Sequence, residues 1–164
     1  MSAAAAQRTG LGWDSHRLAP GRRLILGGVE FEGAELGLDG HSDADVLTHA
    51  VMDALLGAAG LDDIGVHFPD TEDAYESADS IALLREVVAT LAAGGLAPVH
   101  VDTTILMERP KVGPHRAAIR ERLAQALGLD AASVNVKASS GEGMGFVGRL
   151  EGGAALAIAT GEQL

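Results

Sequence analysis

The pattern of apolar and polar positions divides the chain into strands and helices. Alternation and β-branched content predict strands at residues 8–18, 99–107, 134–138 and 153–160, and a bent ribbon at 23–32. Apolar residues at helical spacing predict helices at about 78–93 and 114–127, and a central one within 40–57. This order favours one sheet covered by helices on one face, an α/β or α+β two-layer sandwich.

The central helix is the element around which we place the candidate site. Ser42 and Asp45 fit a capping box, which predicts that the helix begins near Ser42. His41 and Ser42 would then lie at the helix N-terminus, where free backbone amides favour an anion. Asp45, His49 and Asp53 follow at i, i+4 and i+8, so we expect them to share one polar face.

Asp14-Ser15-His16 lies in the first predicted strand. Residues i and i+2 of a strand point to the same face, so Asp14 and His16 can converge on one ion. With His49 they would form a three-ligand set that leaves one tetrahedral position open, as in catalytic zinc sites. Surface polarity of a strand and a solvated helical histidine explain the same residues, so spacing alone leaves both interpretations open.

Three polar loops contain further candidate residues. Residues 60–75 include Asp63-Ile64-Gly65 and Phe68-Pro69-Asp70-Thr71-Glu72, in a loop long enough to suggest binding. Arg109-Pro110-Lys111 contributes two cations after a strand. In the small-residue loop at 139–145, Glu142 could hold a hard divalent cation. Ordinary turn chemistry explains each loop as well.

Composition and charge limit the function classes. The 164 residues predict a single domain, 1–164, in which we expect residues 1–7 to be flexible. A formal charge of -11 argues against nucleic-acid binding, and it would repel a phosphorylated substrate unless local cations screened it. The chain has no cysteine, which excludes disulfides, thiolate zinc sites and cysteine catalysis. Without a membrane-spanning run or signal peptide, we expect a cytoplasmic protein.

Taken together, these stretches resemble the family of 2-C-methyl-D-erythritol 2,4-cyclodiphosphate synthases of the non-mevalonate isoprenoid pathway. The resemblance runs from Gly10 almost to the C-terminus, and its order and spacing are specific although each motif is weak alone. The motifs are Gly12-Trp13-Asp14-Ser15-His16, Gly40-His41-Ser42-Asp43-Ala44-Asp45, His49-Ala50, Asp53-Ala54, Asp63-Ile64-Gly65, Phe68-Pro69-Asp70-Thr71, Pro110-Lys111, Asn135-Val136-Lys137-Ala138, Glu142, Gly145-Phe146 and Gly148-Arg149.

The resemblance implies a homotrimeric lyase with active sites at subunit interfaces. It implies Zn²⁺ on Asp14, His16 and His49, and a second cation, Mg²⁺ or Mn²⁺, on Glu142 and the substrate phosphates. The implied substrate is 4-diphosphocytidyl-2-C-methyl-D-erythritol 2-phosphate, whose own 2-phosphate attacks the β-phosphorus and expels CMP. A nucleophile carried by the substrate agrees with the lack of P-loop and Gly-x-Ser-x-Gly motifs in this chain.

The resemblance also implies residue roles. His41 and Ser140 match positions that stabilise the transition state, and His41 with Ser42 would support the attacking phosphate. Besides these residues and the metal ligands, the resemblance implies three groups of substrate-binding residues. The sugar would be bound by Asp63, Ile64, Gly65, Phe68, Pro69, Asp70, Thr71 and Glu72, and the cytidine and diphosphate by Met107, Lys111, Gly113, Ser139, Ser140, Gly141 and Glu142. The third group, near the substrate or the trimer axis, is Phe146 and Arg149.

Several positions depart from the family pattern. Ser139-Ser140 stands in place of two threonines, Glu72 in place of aspartate, and Met107-Glu108-Arg109 in place of small neutral residues. Gly141 stands in place of a larger residue, from which we expect a looser loop. Two other functions stay open: a metal-dependent phosphohydrolase that activates water, and a non-catalytic trimer that binds a nucleotide or an isoprenoid diphosphate.

Overall fold

A mixed sheet of five strands forms the frame of the molecule. In the computed structural model, which describes residues 5–164, the strands of this sheet are β1 (Gln7–Pro20), β4 (Leu36–Asp39), β5 (Leu96–Leu106), β6 (Val134–Ser139) and β7 (Gly152–Gln163). Their order is β4-β1-β7-β5-β6. Only β5 and β6 pair in parallel. A separate hairpin joins β2 (Ile25–Leu26) to β3 (Val29–Glu30).

Helices cover one face of this sheet. The helices are α1 (Val46–Ala59), α2 (Ile64–His67), α3 (Ser80–Ala93), α4 (Arg116–Leu127) and α5 (Gly145–Gly148), and short 3₁₀ turns lie at Asp73–Tyr75, Gly113–His115 and Ala131–Ser133. The predicted α+β class is therefore confirmed. Among residues 5–164, no helix combines the length and the apolar character that crossing a bilayer demands.

The long elements lie close to their predicted positions, with differences at the edges. β5 begins at Leu96 rather than at residue 99, and β4 was not predicted. The ribbon predicted at 23–32 is the β2–β3 hairpin, which turns at Gly27-Gly28. Residues 1–7 were expected to be flexible, and residues 1–4 of this segment lie outside the described residues. Gln7 belongs to β1 and pairs with Glu162.

α1 lies directly on β1 because β1 has glycines where the two elements meet. A Cβ atom at Gly10 would overlap the carbonyl oxygen of Ala54, and one at Gly12 would overlap that of Ala50. The helix backbone therefore approaches the strand backbone closely, which only glycine allows. This close packing suits a chain with 3% aromatic residues.

The opposite face of the sheet carries an exposed apolar patch on β1 and β7. Leu11, Trp13 and Ile158 are 65%, 49% and 46% exposed. Leu11 is the register partner of Ile158, and Trp13 that of Leu156, so these side chains form one patch across β1 and β7. Contiguous apolar patches on a protein surface mark interaction sites.

Asp45 is a buried anchor in the core. One carboxylate oxygen accepts from the amides of Gly27 (2.8 Å) and Thr48 (3.0 Å), and the other from the Gly28 amide (2.7 Å) and the Thr48 hydroxyl (2.8 Å). Burial raises the pKa of Asp45, and the hydrogen bonds from Thr48 and Gly28 oppose this rise. These four donors compensate the carboxylate for leaving water and fasten the β2–β3 hairpin to α1.

The predicted start of the central helix is wrong. The N-cap of α1 is Asp45, whose side chain accepts from the Thr48 amide, and Ser42 lies outside the helix. Ala44 has φ 55, a left-handed conformation that a right-handed helix cannot include. Asp45 is also fully buried, so it does not share an exposed polar face with Asp53.

Candidate metal centre and active site

Asp14, His16 and His49 meet at one point between the sheet and α1. The Oδ2 atom of Asp14 lies 2.9 Å from Nε2 of His16 and 3.0 Å from Nδ1 of His49. The two ring nitrogens are 3.2 Å apart. One ligand atom from each residue lies within 4.8 Å of the others, so this group could hold a metal ion. The spacing left this convergence open and the resemblance implied it; the structure confirms that the three residues meet.

The outer nitrogen of each histidine is bound by the protein. Nδ1 of His16 donates to the carbonyl oxygen of Asp39 at 3.0 Å. Nε2 of His49 lies 2.8 Å from the hydroxyl of Ser80, and that hydroxyl donates its proton to Asp43. Because the Ser80 proton is used, Nε2 of His49 is the donor. Because the outer nitrogen of each ring is held by a protein acceptor, the inner nitrogen is the one that could bind a metal ion beside Asp14, as in metal-binding histidines.

Electrostatics at this point favour a cation. Burial by itself raises the pKa of Asp14. The hydrogen bonds with His16 and His49, together with the charges of these two rings, outweigh burial and lower the pKa to about 2. For His16, burial lowers the pKa, but the hydrogen bond and charge of Asp14 outweigh this and raise it. The Asp14 carboxylate thus favours a positive charge at the inner nitrogens. One carboxylate oxygen and two imidazole nitrogens are a donor set that fits Zn²⁺.

A cavity of about 390 Å³ opens beside the three residues. Its wall combines polar side chains with the apolar Met52, Phe68, Tyr75 and Leu83. The predicted substrate-binding residues in this wall are Asp14, His16, His41, Ser42, Ile64, Gly65, Phe68 and Asp70. Pro69, Thr71 and Glu72 belong to the adjoining turn, and the Asp63 carboxylate accepts from the Val66 amide at 3.2 Å, so it caps α2.

His41 and Ser42 line the cavity for a different reason than the one predicted. They precede α1 by several residues, so free amides of that helix do not surround them. Nε2 of His41 donates to the carbonyl oxygen of Glu72 at 3.1 Å. The hydroxyl of Ser42 accepts from the Ala44 amide and lies 3.2 Å from Nε2 of His49. The predicted helix N-terminus is therefore not at His41 and Ser42.

The other predicted residues gather elsewhere on the chain. The parallel strands β5 and β6 end side by side, and the Met107 amide donates to the carbonyl oxygen of Ser139 at 3.0 Å. Met107 and Ser139 lie at these ends, and Ser140, Gly141 and Glu142 follow β6. Gly113 begins the 3₁₀ turn before α4, and Lys111 lines a separate cavity with Leu36 and Leu150. None of these seven is in the wall of the 390 Å³ cavity, so one protomer does not bring the two groups together.

Two further features concern the loop after β6. Gly141 does not make the loop looser, because a Cβ there would overlap the Gly148 amide and its own amide donates to Glu108. Phe146 and His16 both line a second, smaller cavity. Arg149 forms an ion pair with Glu151 at 3.0 Å.

Sequence reasoning missed the residues that support the ligands. Asp43 and Ser80 are 37 positions apart, and Glu108 and Gly141 are 33 apart. Each pair meets only through tertiary packing, so no local spacing signals it. Asp43 lay within the recognised stretch at residues 40–45, but nothing in the sequence linked it to Ser80.

Known proteins resemble this chain over most of its length. The 2-C-methyl-D-erythritol 2,4-cyclodiphosphate synthase of Symbiobacterium thermophilum is 57% identical over 150 residues, which cover 92% of this chain and 95% of that protein. The synthase of Bordetella petrii is 56% identical over 152 residues, with 93% of each covered. A bifunctional enzyme IspD/IspF of Anaeromyxobacter dehalogenans is 60% identical over 151 residues, but the chain spans only 39% of its length.

Solved structures share the fold. The bifunctional IspDF of Campylobacter jejuni superposes with a TM-score of 0.94 at 37% identity, covering 98% of this chain and 43% of that one. A 2C-methyl-D-erythritol-2,4-cyclodiphosphate synthase in its CDP-bound form gives 0.85 at 36% identity, with 93% and 98% covered. The YgbB family model matches residues 7–162. From the fold, the site and this match, the chain belongs to the YgbB family.

Proposed function

We propose that this protein is a 2-C-methyl-D-erythritol 2,4-cyclodiphosphate synthase. It converts 4-diphosphocytidyl-2-C-methyl-D-erythritol 2-phosphate to the cyclic diphosphate and CMP. The observation that carries the proposal is the convergence of Asp14, His16 and His49 beside a cavity. It occurs in a chain 57% identical to a synthase of almost the same length. Neighbouring structures whose names include CDP support a cytidine nucleotide as the ligand.

Two cations are part of this proposal. Asp14, His16 and His49 would hold Zn²⁺, since their donor atoms are one oxygen and two nitrogens. Glu142 would hold Mg²⁺ or Mn²⁺ together with substrate phosphates, since carboxylate and phosphate oxygens are their preferred ligands. When bound, such cations polarise phosphate oxygens and stabilise the charge of the transition state.

The reaction needs no nucleophile from the protein. An oxygen of the substrate's 2-phosphate forms a bond to the β-phosphorus, the bond from that phosphorus to the CMP oxygen breaks, and CMP leaves with the electron pair. The chain's contribution is to position the groups and stabilise charge. His41 and Ser42 in the cavity wall would orient the attacking phosphate, and the Glu72 carbonyl fixes the His41 ring.

The remaining implied residues complete the substrate site. Asp63, Ile64 and Gly65 would bind the sugar hydroxyls, with residues 68–72 beside them. Met107, Lys111 and Gly113, with Ser139, Ser140, Gly141 and Glu142, would enclose the cytidine and its diphosphate.

We also propose that the active protein is a homotrimer with shared sites. In one protomer, the group at the ends of β5 and β6 is not in the cavity wall beside Asp14. The apolar patch of Leu11, Trp13 and Ile158 is open and would become buried between copies. A neighbouring copy could then present its Ser140 and Glu142 to the cavity of the first.

The test of the chemistry is turnover of the cytidylyl substrate followed by phosphorus NMR. We expect CMP and a cyclic diphosphate, loss of turnover with a chelator, and its return with Zn²⁺ and Mg²⁺. Inorganic phosphate or an open bisphosphate would instead indicate a phosphohydrolase. Binding of CDP without any product would indicate a non-catalytic binding protein.

The test of the shared site is complementation between two impaired variants, assayed at a Mg²⁺ concentration too low for Glu142→Gln to turn over appreciably. Asp14→Asn disables one side of a shared site and Glu142→Gln the other, so co-refolded mixtures would contain some sites with both residues intact. We expect turnover to return in the mixture and a trimer mass by light scattering. A trimer without recovered turnover would place both residues in the same subunit's site.

A further inference from the structure

Glu108 bridges two amides of the loop that follows β6. It comes just after β5, and one carboxylate oxygen accepts from the Gly141 amide at 2.7 Å. The other oxygen accepts from the Gly143 amide at 3.3 Å. Both carboxylate oxygens are therefore occupied, and the two amides that they bind are those on either side of Glu142.

This bridge holds an unusual backbone conformation. Glu142 has φ 53 and Gly143 has φ 73, both in the left-handed region. A non-glycine residue occupies that region only where the surroundings fix it. The amide of Glu142 donates to the hydroxyl of Ser140 at 3.2 Å, so three successive amides of the loop each have a side-chain acceptor.

The other side of the loop has no room to move. A Cβ at Gly141 would overlap the amide of Gly148, and one at Gly148 would overlap the backbone of Gly143. The Met144 amide also donates to the Gly141 carbonyl oxygen at 2.8 Å. The loop thus lies against Gly148, at the end of α5, on one side and is bound by Glu108 on the other.

We propose that Glu108 is a positioning residue that presets Glu142 and Ser140 for the substrate diphosphate and its divalent cation. Glu108 acts through the backbone, because its own oxygens are turned to the two glycine amides. A loop rich in glycine would otherwise lose conformational freedom at the moment of binding. This inference rests on the proposed function, in which Glu142 helps to hold Mg²⁺.

The test compares Glu108→Ala and Glu108→Gln with the wild type. The matched control is Glu121→Gln, which changes an exposed carboxylate on α4. We expect Glu108→Ala to raise the half-saturating Mg²⁺ concentration by about three- to tenfold, as for loss of charge-assisted hydrogen bonds on a partly exposed loop. With Mg²⁺ saturating, kcat should stay near the wild-type value. Glu108→Gln keeps one good acceptor and should give a smaller rise.

A second measurement does not need turnover. In protein labelled with ¹⁵N-glycine, the amide protons of Gly141 and Gly143 should shift upfield and exchange faster in Glu108→Ala, while other glycines keep their shifts. Calorimetry of CDP binding at stepped Mg²⁺ concentrations should show the same increase in Mg²⁺ requirement. Zinc content and the thermal midpoint should match those of the control.

Two results would overturn the proposal. Unchanged Mg²⁺ titrations in Glu108→Ala would show that Glu142 is oriented without Glu108. Tighter CDP binding in that variant would show that Glu108 competes with phosphate for the two amides. If Glu108→Ala does not fold, Glu108→Gln decides by the same criteria. If the wild type forms no cyclic product, the proposed function fails, while the glycine shifts and the Mg²⁺-dependent CDP binding still test Glu108.

Discussion

Ser80 lies 2.8 Å from Nε2 of His49, on the side of the ring opposite Asp14. Ser80 is fully buried, and its hydroxyl donates a hydrogen bond to one carboxylate oxygen of Asp43. The Ser80 amide donates to the other oxygen of Asp43 at 2.9 Å. Asp43 thereby fixes Ser80, and Ser80 fixes which nitrogen of His49 carries the proton. A residue of α3 thus orients the ring of His49, the candidate metal ligand on α1.

Ser80→Ala should weaken zinc binding by about ten- to a hundredfold, the usual effect of removing a partner behind a metal-binding histidine. The ring would lose its acceptor and with it the preferred tautomer. Competition with a chromophoric chelator measures this affinity directly. Ser133→Ala, in the turn before β6, is the control and should leave the affinity unchanged. Equal affinities in the two variants would contradict the role of Ser80.

His49→Ala should remove the bound zinc and the activity while leaving a folded trimer. His49 is one of three ligands, and the remaining Asp14 and His16 make too small a set to hold the ion tightly. Elemental analysis of the purified variant gives the stoichiometry, and light scattering gives the assembly. A normal zinc content would rule out His49 as a ligand.

Glu142→Gln should mainly raise the Mg²⁺ requirement of turnover, by about tenfold, because a neutral amide replaces a charged oxygen ligand. The zinc content should stay that of the wild type, since Glu142 is outside the Asp14, His16 and His49 group. An Mg²⁺ titration of the initial rate provides the measurement. A curve that superposes on the wild type would remove Glu142 from the cation site.

Asp45→Asn should lower the free energy of unfolding by about 2–4 kcal/mol, because an amide NH₂ would face two of the four buried donors. Urea denaturation at one fixed protein concentration measures this change. Asp130→Asn is the control, since the Asp130 side chain makes no capping hydrogen bond. Similar midpoints for the two variants would mean that Asp45 is not an anchor.

The sequence predicted the long elements, in which the pattern of apolar residues repeats several times. It did not predict a short strand or a helix boundary that depends on backbone conformation. The three long helices and four of the five sheet strands lie near their predicted positions. β4 was missed because Leu-Gly-Leu-Asp is too short to show alternation. The start of α1 was misplaced because Ser42 and Asp45 both suit an N-cap, and the choice depends on the left-handed Ala44.

The same limit applies to the candidate site. Asp14 and His16 could be predicted to share a face because residues i and i+2 of a strand point the same way, whereas the meeting of His49 with them was implied by the resemblance. Ser80 and Glu108 could not, because their partners are 31 and 33 residues away in sequence. Lys111 and Glu142 could be singled out as charged loop residues, but their roles were implied by the resemblance, and their position relative to the cavity depends on the proposed trimer.

Gly12 lies two residues before Asp14 on the same face of β1. The backbone of Ala50, the neighbour of His49, packs directly against it. An aspartate side chain is short, so it reaches a helical imidazole only where helix and strand are almost in backbone contact. A methyl group added at Gly12 would push α1 away from β1. It would thereby separate His49 from Asp14 without changing either residue. The absence of a side chain at Gly12 therefore sets the distance between Asp14 and His49 across which a cation could be held.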